Sequence, residues 1–172
     1  MNEQITTIVR PSTAEDIAPV ADIYATSVLT GFGTFEIEPP TIMEMTARRN
    51  VILEQQLPYL IAEQNEQIVG FAYAGLYRPR PAYQNTVENS VYVREGMQGN
   101  GVGKALLSAL INECRNAGKN QMVAVIGDSG NRGSIGLHRS LGFRLVGILE
   151  AVGYKHGRWV DTVIMQKKLI EE

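Results

Sequence analysis

The 172-residue chain suits one domain with a sizeable core, and we treat residues 1–172 as a single domain. Its 16 basic and 18 acidic residues leave a formal net charge of -2, so nothing favours a nucleic-acid or membrane-surface partner. A single cysteine excludes an internal disulfide, and together with two histidines it argues against a structural zinc site. We expect no metal.

The first residues lack the basic and apolar regions of a secretory signal, and no apolar run is long enough to cross a bilayer. These features, with the single cysteine, predict a cytoplasmic protein that does not enter a membrane.

The first half of the chain predicts a strand, two helices and a hairpin. Asp16 is expected to cap the first helix, and Thr41 begins the second with a capping-box pattern that ends at Glu44. The Gly-rich segment 31–35 between these helices is expected to be flexible. The expected bounds are 6–10 for the strand, 17–28 and 41–53 for the helices, and 59–63 and 67–76 for the hairpin.

The second half predicts a strand at 86–93, a Gly-rich loop at 95–101 and a helix that ends at Gly118. A strand at 122–126, a short helix at 134–141 and two strands at 143–149 and 159–167 follow. This order predicts a mixed α/β sheet. We assign Cys114, Trp159 and Val163 to the core.

The loop before the long helix carries Gly99, Gly101 and Gly103 at alternate positions. Glycine permits a positive φ and a close approach by a ligand. The free N–H groups of the following helical turn, with the helix dipole, favour an anion such as a pyrophosphate. A simple tight turn is the alternative.

Other nucleotide-binding loops fit this spacing poorly. A Walker A loop fails because Gln98 stands at its first glycine position and Ala105 follows Gly103-Lys104. A dinucleotide fingerprint fails because Lys104 stands where Gly or Ala is needed, and no N-terminal βαβ unit precedes the loop.

The stretch Gln98-Gly99-Asn100-Gly101-Val102-Gly103 resembles the Gln/Arg-x-x-Gly-x-Gly/Ala signature of the GNAT acetyltransferases. Asn131-x-x-Ser134 and Leu141-Gly142-Phe143 extend the resemblance over nearly the whole chain. Four separated stretches, at 86–93, 123–126, 137–138 and 153–159, are similar to the phosphinothricin and methionine sulfoximine acetyltransferase branch. The resemblance implies a mostly antiparallel sheet with a splayed parallel strand pair and flanking helices, and a homodimer.

The resemblance also implies where acetyl-CoA, the family's co-substrate, would bind. It would lie between residues 90–93 and 122–126, where two parallel strands splay apart. A backbone N–H near Val93 would polarise the thioester carbonyl. The implied cofactor-binding residues are Val91, Tyr92, Val93, Gln98, Gly99, Asn100, Gly101, Val102, Gly103, Lys104, Asn131 and Ser134.

Two residues are candidates for proton transfer. Glu88 stands at the position of the family's proposed base, and burial in an apolar strand should raise its pKa. The alternative interpretation is that Glu88 is a charged strand residue whose side chain faces solvent. His138 stands where the wider family has a tyrosine that protonates the departing thiolate, and agrees with the narrower branch. Its alternative is a histidine bonded to a backbone carbonyl.

An amino acid acceptor carries a carboxylate, which arginine binds through two hydrogen bonds. Arg78 and Arg80, in a proline-rich loop, are candidates for this contact, although solvated surface arginines are the alternative. The candidate substrate-binding residues are Phe35, Arg78, Arg80, Tyr83, Glu88 and Tyr154.

Three classes of function stay open at this point. The first is acetylation of the α-amino group of a small amino acid analogue such as phosphinothricin, methionine sulfoximine or methionine sulfone. The second is acetylation of another amine, namely a polyamine, an aminoglycoside or a protein N-terminus. The third is a non-catalytic acyl-CoA sensor. The arginine pair favours an anionic acceptor, whereas polycationic acceptors usually require an acidic groove. Aromatic residues at 32–35 and 73–83 are consistent with a dimer interface or with pocket walls.

Overall fold

The computed structural model describes residues 6–170 and consists of one seven-stranded sheet with helices packed on both faces. The strands are β1 (Ile8–Pro11), β2 (Tyr59–Gln64), β3 (Gln67–Leu76), β4 (Thr86–Val93), β5 (Gln121–Gly127), β6 (Arg144–Lys155) and β7 (Arg158–Lys168). The helices are α1 (Ile17–Thr30), α2 (Ile42–Glu54), α3 (Val102–Asn116) and α4 (Arg132–Ser140).

The strand order is β1-β2-β3-β4-β5-β7-β6. Neighbouring strands are antiparallel except for β4 and β5, which run parallel because α3 connects them as a crossover. The expected mixed, mostly antiparallel sheet with one parallel pair is confirmed.

Local sequence sets the helix starts, with one departure from expectation. The Thr41 hydroxyl accepts from the Glu44 N–H at 3.2 Å, and the Glu44 carboxylate accepts from the Thr41 N–H at 2.6 Å, as the capping box predicts. Asp16 holds the N-cap position of α1 as expected, but its side chain makes no capping bond to the helix. Asp16 points back along the chain, accepting from the Thr13 N–H at 2.6 Å and from the Arg10 guanidinium at 2.8 Å. A 3-10 turn (Ala14–Asp16) therefore leads into α1.

The two hairpins explain where the strand bounds differ from expectation. Asn65 and Glu66 both have positive φ, as a two-residue hairpin turn requires, and extend β2 by one residue. β6 runs to Lys155, six residues past its expected end, because it pairs with β7 as far as the turn at His156 and Gly157.

Two apolar clusters lie on opposite faces of the sheet. α1 and α2 pack on one face around Phe71, and α3 packs on the other around Leu106. Cys114 and Val163 lie in the core as expected. The expectation for Trp159 is wrong: it is 66% exposed, because it lies near the tip of the β6–β7 hairpin, opposite exposed Tyr154.

The parallel pair is short and then opens. Its register ends at Asn89 opposite Ala124, although β4 continues to Val93 and β5 to Gly127. β3 remains paired with β4 as far as Val93, so it is the β5 side of β4 that opens. This split positions the site.

Candidate active site

A groove lies where β4 and β5 diverge. It comprises two adjoining cavities, of about 270 and 510 Å³. The smaller cavity extends toward Gly31, Asn89 and His138, and the larger extends along the Gly-rich loop to Lys104. The two cavities share a wall formed by Ser27, Val91, Tyr92, Val93, Gln98, Asn131 and Ser134. The predicted strand edge and loop are thus brought to one groove.

The glycines of the loop have two different roles. Gly99 and Gly101 have φ values of 81° and 82°, a left-handed backbone that other residues adopt only with strain. Gly101 is also the N-cap of α3. Gly103 has no such φ, but a Cβ there would lie 3.2 Å from a methyl carbon of Leu137, so glycine lets α4 approach α3.

The start of α3 is suited to an anion. The Ala105 N–H bonds to the Gly101 carbonyl, and the N–H groups that precede Ala105 in the first turn have no carbonyl in the helix to bond. Lys104 adds a cation on the wall of the larger cavity. The side chain of Val102 is buried, so only its backbone is available, and Asn100 is exposed at the loop tip. These features fit the pyrophosphate of a bound nucleotide cofactor.

Asn131 fixes the opposite wall of the groove. Its side-chain oxygen accepts from the Ser134 N–H at 3.1 Å, which caps α4, and its amide donates to the Gly127 carbonyl at 3.5 Å. The predicted pair Asn131 and Ser134 therefore lies in the groove, with Asn131 also joining the start of α4 to the end of β5.

Glu88 projects from β4 on the face that carries α1 and α2. Alternate β4 residues point to opposite faces, and Val87 lies in the core beneath α3. Glu88 is half-buried, and burial raises its pKa above its ordinary value of 4.5, while the charge of Arg78 acts in the opposite direction. The carboxyl is therefore more basic than a fully solvated one, as the sequence predicted.

His138 is only 3% exposed and sits on the other side of the groove. Its Nδ1 lies 2.8 Å from the Ser134 carbonyl and its Nε2 lies 3.0 Å from the side-chain oxygen of Asn89. Burial lowers the pKa of His138, whereas the bond to Ser134 raises it. The backbone-bonded arrangement considered as an alternative is thus present at Nδ1, while Nε2 faces a side chain that sequence reasoning missed.

The proline-rich loop places Arg78 near Glu88. The Arg78 guanidinium lies over the Tyr77 ring, 5.0 Å from its centroid, and the Tyr83 ring packs edge-on against the same ring. A 3-10 turn (Pro81–Tyr83) follows exposed Arg80. Arg78, rather than Arg80, is the arginine whose charge acts on Glu88.

The remaining two candidates lie near the β6–β7 hairpin. The Phe35 ring packs against Gly153 so closely that a Cβ at Gly153 would overlap it. Tyr154 points to the opposite face from Gly153 and Lys155, since neighbouring strand residues alternate, and packs its exposed ring against Trp159. The structure therefore packs Phe35 against Gly153 and against Gly127 at the end of β5, whereas Tyr154 makes its ring contact with Trp159 on the other face.

Sequence reasoning also missed contacts between distant parts of the chain. Asn89 bridges β4 to β5 by donating to the Val123 carbonyl at 3.3 Å. Lys155 donates to the carbonyl of Thr34 at 2.8 Å, so the segment expected to be flexible is anchored to the hairpin. The sequence offered one indication of this contact, namely the lysine at position 155 within the stretch 153–159.

Among residues 6–170, no group of three or more His, Cys, Asp and Glu side chains is arranged to hold a metal ion. Across that same part of the chain, none of the helices combines the length and the apolar character needed to cross a membrane.

Comparison with known proteins agrees with this geometry. Residues 9–164 match the family model described as an acetyltransferase (GNAT) domain. The chain is 47% identical over 155 residues to a phosphinothricin N-acetyltransferase of Alcaligenes faecalis, covering 90% of this chain and 79% of that one. It is 38% identical over 162 residues to an L-methionine sulfoximine/L-methionine sulfone acetyltransferase of Pseudomonas aeruginosa, covering 94% of each chain.

A solved structure extends the similarity to the whole fold. The phosphinothricin acetyltransferase from Sinorhizobium meliloti, determined in complex with acetyl-CoA, superposes with a TM-score of 0.92 at 42% identity, covering 95% of this chain and 89% of that one. The split sheet, the Gly-rich start of α3 and these similarities together show that the chain belongs to the GNAT acetyltransferase family and is an N-acetyltransferase.

Proposed function

We propose that this enzyme transfers the acetyl group of acetyl-CoA to the α-amino group of a small amino acid analogue such as phosphinothricin, methionine sulfoximine or methionine sulfone. The observation that carries this proposal is the placement of Glu88 directly before Asn89, which lines the smaller cavity. Burial makes the Glu88 carboxyl more basic, and the charge of Arg78 on the adjoining loop acts on it. The names of the two relatives support the same acceptor class.

In the proposed reaction the acceptor's carboxylate or phosphinate binds Arg78, with Arg80 and Tyr83 on the same loop. Glu88 takes a proton from the acceptor's ammonium, directly or through one water, which leaves a nucleophilic amine. A backbone N–H near Val93 stabilises the negative charge that develops on the thioester oxygen. Binding and orientation therefore come from the loop, and basicity comes from β4.

When bound, acetyl-CoA would supply the acetyl group as a thioester. The amine would form the amide C–N bond with the thioester carbonyl carbon and the C–S bond would break, leaving a thiolate that needs a proton. We propose that His138 supplies it. Each imidazole nitrogen lies beside an oxygen acceptor, namely the Ser134 carbonyl at Nδ1 and the Asn89 side-chain oxygen at Nε2. The neutral ring can donate a hydrogen bond to only one of them, whereas the imidazolium donates to both. Burial is the larger effect and lowers the pKa of His138 overall, while the bond to the Ser134 carbonyl favours the protonated ring.

An acetyl-transfer assay that detects free CoA over a panel of acceptors tests this function directly. We expect turnover with methionine sulfone and methionine sulfoximine, and little with the matching amines that lack the carboxylate, because Arg78 would be left unpaired. Equal turnover of both, or preference for spermidine, would replace this proposal with the polyamine-type alternative. Acetyl-CoA binding without turnover of any amine would indicate the sensor.

We also propose that the enzyme is a homodimer that uses β6. Among the strands of residues 6–170, β6 pairs only with β7, so its other side is an open edge. Large apolar side chains on and beside it are exposed, namely Leu145, Val146, Ile148, Leu149, Val152, Tyr154 and Trp159. Such a surface is typical of an interface, and it lies apart from the 73–83 stretch suggested by sequence.

A further inference from the structure

The segment that joins α1 to α2 closes one side of the groove with its backbone. Gly31 and Gly33 line the 270 Å³ cavity. The Phe32 carbonyl lies so close to Gly127, the last residue of β5, that a Cβ at Gly127 would overlap it. A displacement of this backbone would therefore change the shape of the smaller cavity directly. The larger cavity, along the Gly-rich loop, is walled by other residues.

A buried cation holds this segment from the far end of the chain. Lys155 is 2% exposed, and its ammonium donates to the Thr34 carbonyl at 2.8 Å across 121 positions of sequence. Burial lowers the pKa of Lys155, and the charge of Glu36 opposes that effect. A buried ammonium group is unfavourable unless hydrogen bonds compensate for its lost hydration, and the bond to the Thr34 carbonyl provides such compensation. An apolar side chain at this position would need no such bond. The lysine therefore serves to hold the Thr34 carbonyl in place.

Two further contacts attach the same segment to the β6–β7 hairpin. The Phe35 ring packs on Gly153, two residues before Lys155 and on the same face. The Arg158 guanidinium stacks over the Phe32 ring, 3.8 Å from its centroid, and bonds Asp128 at 2.9 Å. The hairpin therefore holds the segment at Phe32, Thr34 and Phe35, beside the glycines that line the groove.

We propose that Lys155 is a positioning residue that sets one wall of the smaller cavity, where the acceptor would meet the acetyl end of acetyl-CoA, by holding the Thr34 carbonyl, and with it Gly31 and Gly33. This inference rests on the proposed acetyl transfer to a small amino acid analogue. It assigns Lys155 no contact with the reacting atoms. Its loss should weaken binding of the acceptor more than binding of acetyl-CoA, because the displaced segment does not border the larger cavity, where the Gly-rich loop would hold the pyrophosphate.

The first test replaces Lys155 with Met, which keeps the length of the side chain but removes the ammonium. For Lys155→Met we expect the acceptor KM to rise about tenfold or more, the lower end for loss of a hydrogen bond to a charged group, with the acetyl-CoA KM within twofold of wild type. Lys155→Arg should recover part of the loss. Lys167→Met, which removes a charge elsewhere on the same hairpin, is the control.

The second test displaces the segment without touching Lys155. In Gly153→Ala the added methyl group would overlap the Phe35 ring, whereas in Gly147→Ala, on the same strand, it meets nothing within 4 Å. We expect Gly153→Ala to reproduce the KM split and Gly147→Ala to resemble wild type. This pair remains informative if Lys155→Met does not fold.

Hydrogen–deuterium exchange separates this inference from the proposed function. Peptides covering residues 31–37 should exchange faster in Lys155→Met and in Gly153→Ala than in wild type, whichever amine is the substrate. Faster exchange with unchanged acceptor KM, or equal increases in both KM values, would overturn the positioning role. If wild-type enzyme acetylates no amino acid analogue, the function fails, while the exchange result still decides whether Lys155 anchors the segment.

Discussion

Arg78 acts on Glu88 from the neighbouring loop, and its charge opposes the rise that burial gives to the pKa of the Glu88 carboxyl. The base must be ionised to act, so activity falls as the pH drops through the pKa of Glu88. Arg78→Ala removes the opposing charge and raises this pKa further. We therefore expect the acidic limb of the kcat/KM profile to move toward neutral pH in Arg78→Ala, as measured at saturating acetyl-CoA.

Two companion variants sharpen this measurement. Arg78→Lys keeps the charge and should leave the limb near its wild-type position, although the lost bidentate geometry should raise the acceptor KM. Arg80→Ala should also leave the limb in place, since Arg80 does not contribute to the shift at Glu88. A limb that stays fixed in Arg78→Ala would show that the titrating group is not Glu88.

Glu88→Gln preserves the shape of the side chain but cannot accept the proton. We expect kcat/KM to fall roughly 10²–10⁴-fold, the usual range for loss of a general base, with acetyl-CoA affinity nearly unchanged. Steady-state kinetics and calorimetry measure the two quantities. Glu113→Gln, an exposed change on α3, serves as control. Wild-type turnover in Glu88→Gln would assign the base to another group or to solvent.

Gly101→Val tests the anion site at the start of α3. A β-branched residue at a φ of 82° is strained by about 1–2 kcal/mol and would place a side chain beside the anion site. Gly118, just after the other end of α3, has a φ of 74° with open space around its Cβ position, so Gly118→Val matches the strain. We expect both variants to lose similar stability and only Gly101→Val to lose acetyl-CoA binding by calorimetry. Equal affinities would place the pyrophosphate elsewhere.

Ile148→Lys tests the proposed dimer. A charge in the middle of the exposed apolar strand β6 should oppose its burial against a second copy. We expect wild-type protein to scatter light with twice the 18.9 kDa monomer mass at micromolar concentration, and Ile148→Lys to shift toward the monomer. Ile8→Lys adds the same charge to β1, the opposite edge of the sheet, and should stay dimeric. A wild-type monomer would refute the dimer.

The elements and the Gly-rich loop could be predicted because their causes are local. The capping box at Thr41 and the glycines at Gly99 and Gly101 act through bonds and dihedral angles within a few residues. The length of β6 could not be predicted from the sequence. It depends on pairing with β7, and the largely exposed β6 residues show no clear alternation of apolar and polar side chains. Trp159 was misplaced for a related reason, since an apolar side chain at a hairpin tip has no core to enter.

The site was predictable only in part because several of its contacts join distant positions. Asn89 meets His138 across 49 positions, and Thr34 meets Lys155 across 121. Neither pair has a periodicity or spacing that a single sequence displays. Arg78 and Arg80 look equivalent along the chain, and only the fold shows which of them acts on Glu88.

The early end of the β4–β5 pairing has a thermodynamic consequence for the enzyme in the cell. Backbone groups along the open side of β4 can form hydrogen bonds with an extended ligand in the folded protein. The unfolded chain has no such site, so binding of the ligand favours the folded state. An occupant at one hundred times its dissociation constant would stabilise the fold by about 2.7 kcal/mol. With acetyl-CoA as that occupant, the fraction of the protein that is folded would rise and fall with the supply of acetyl donor.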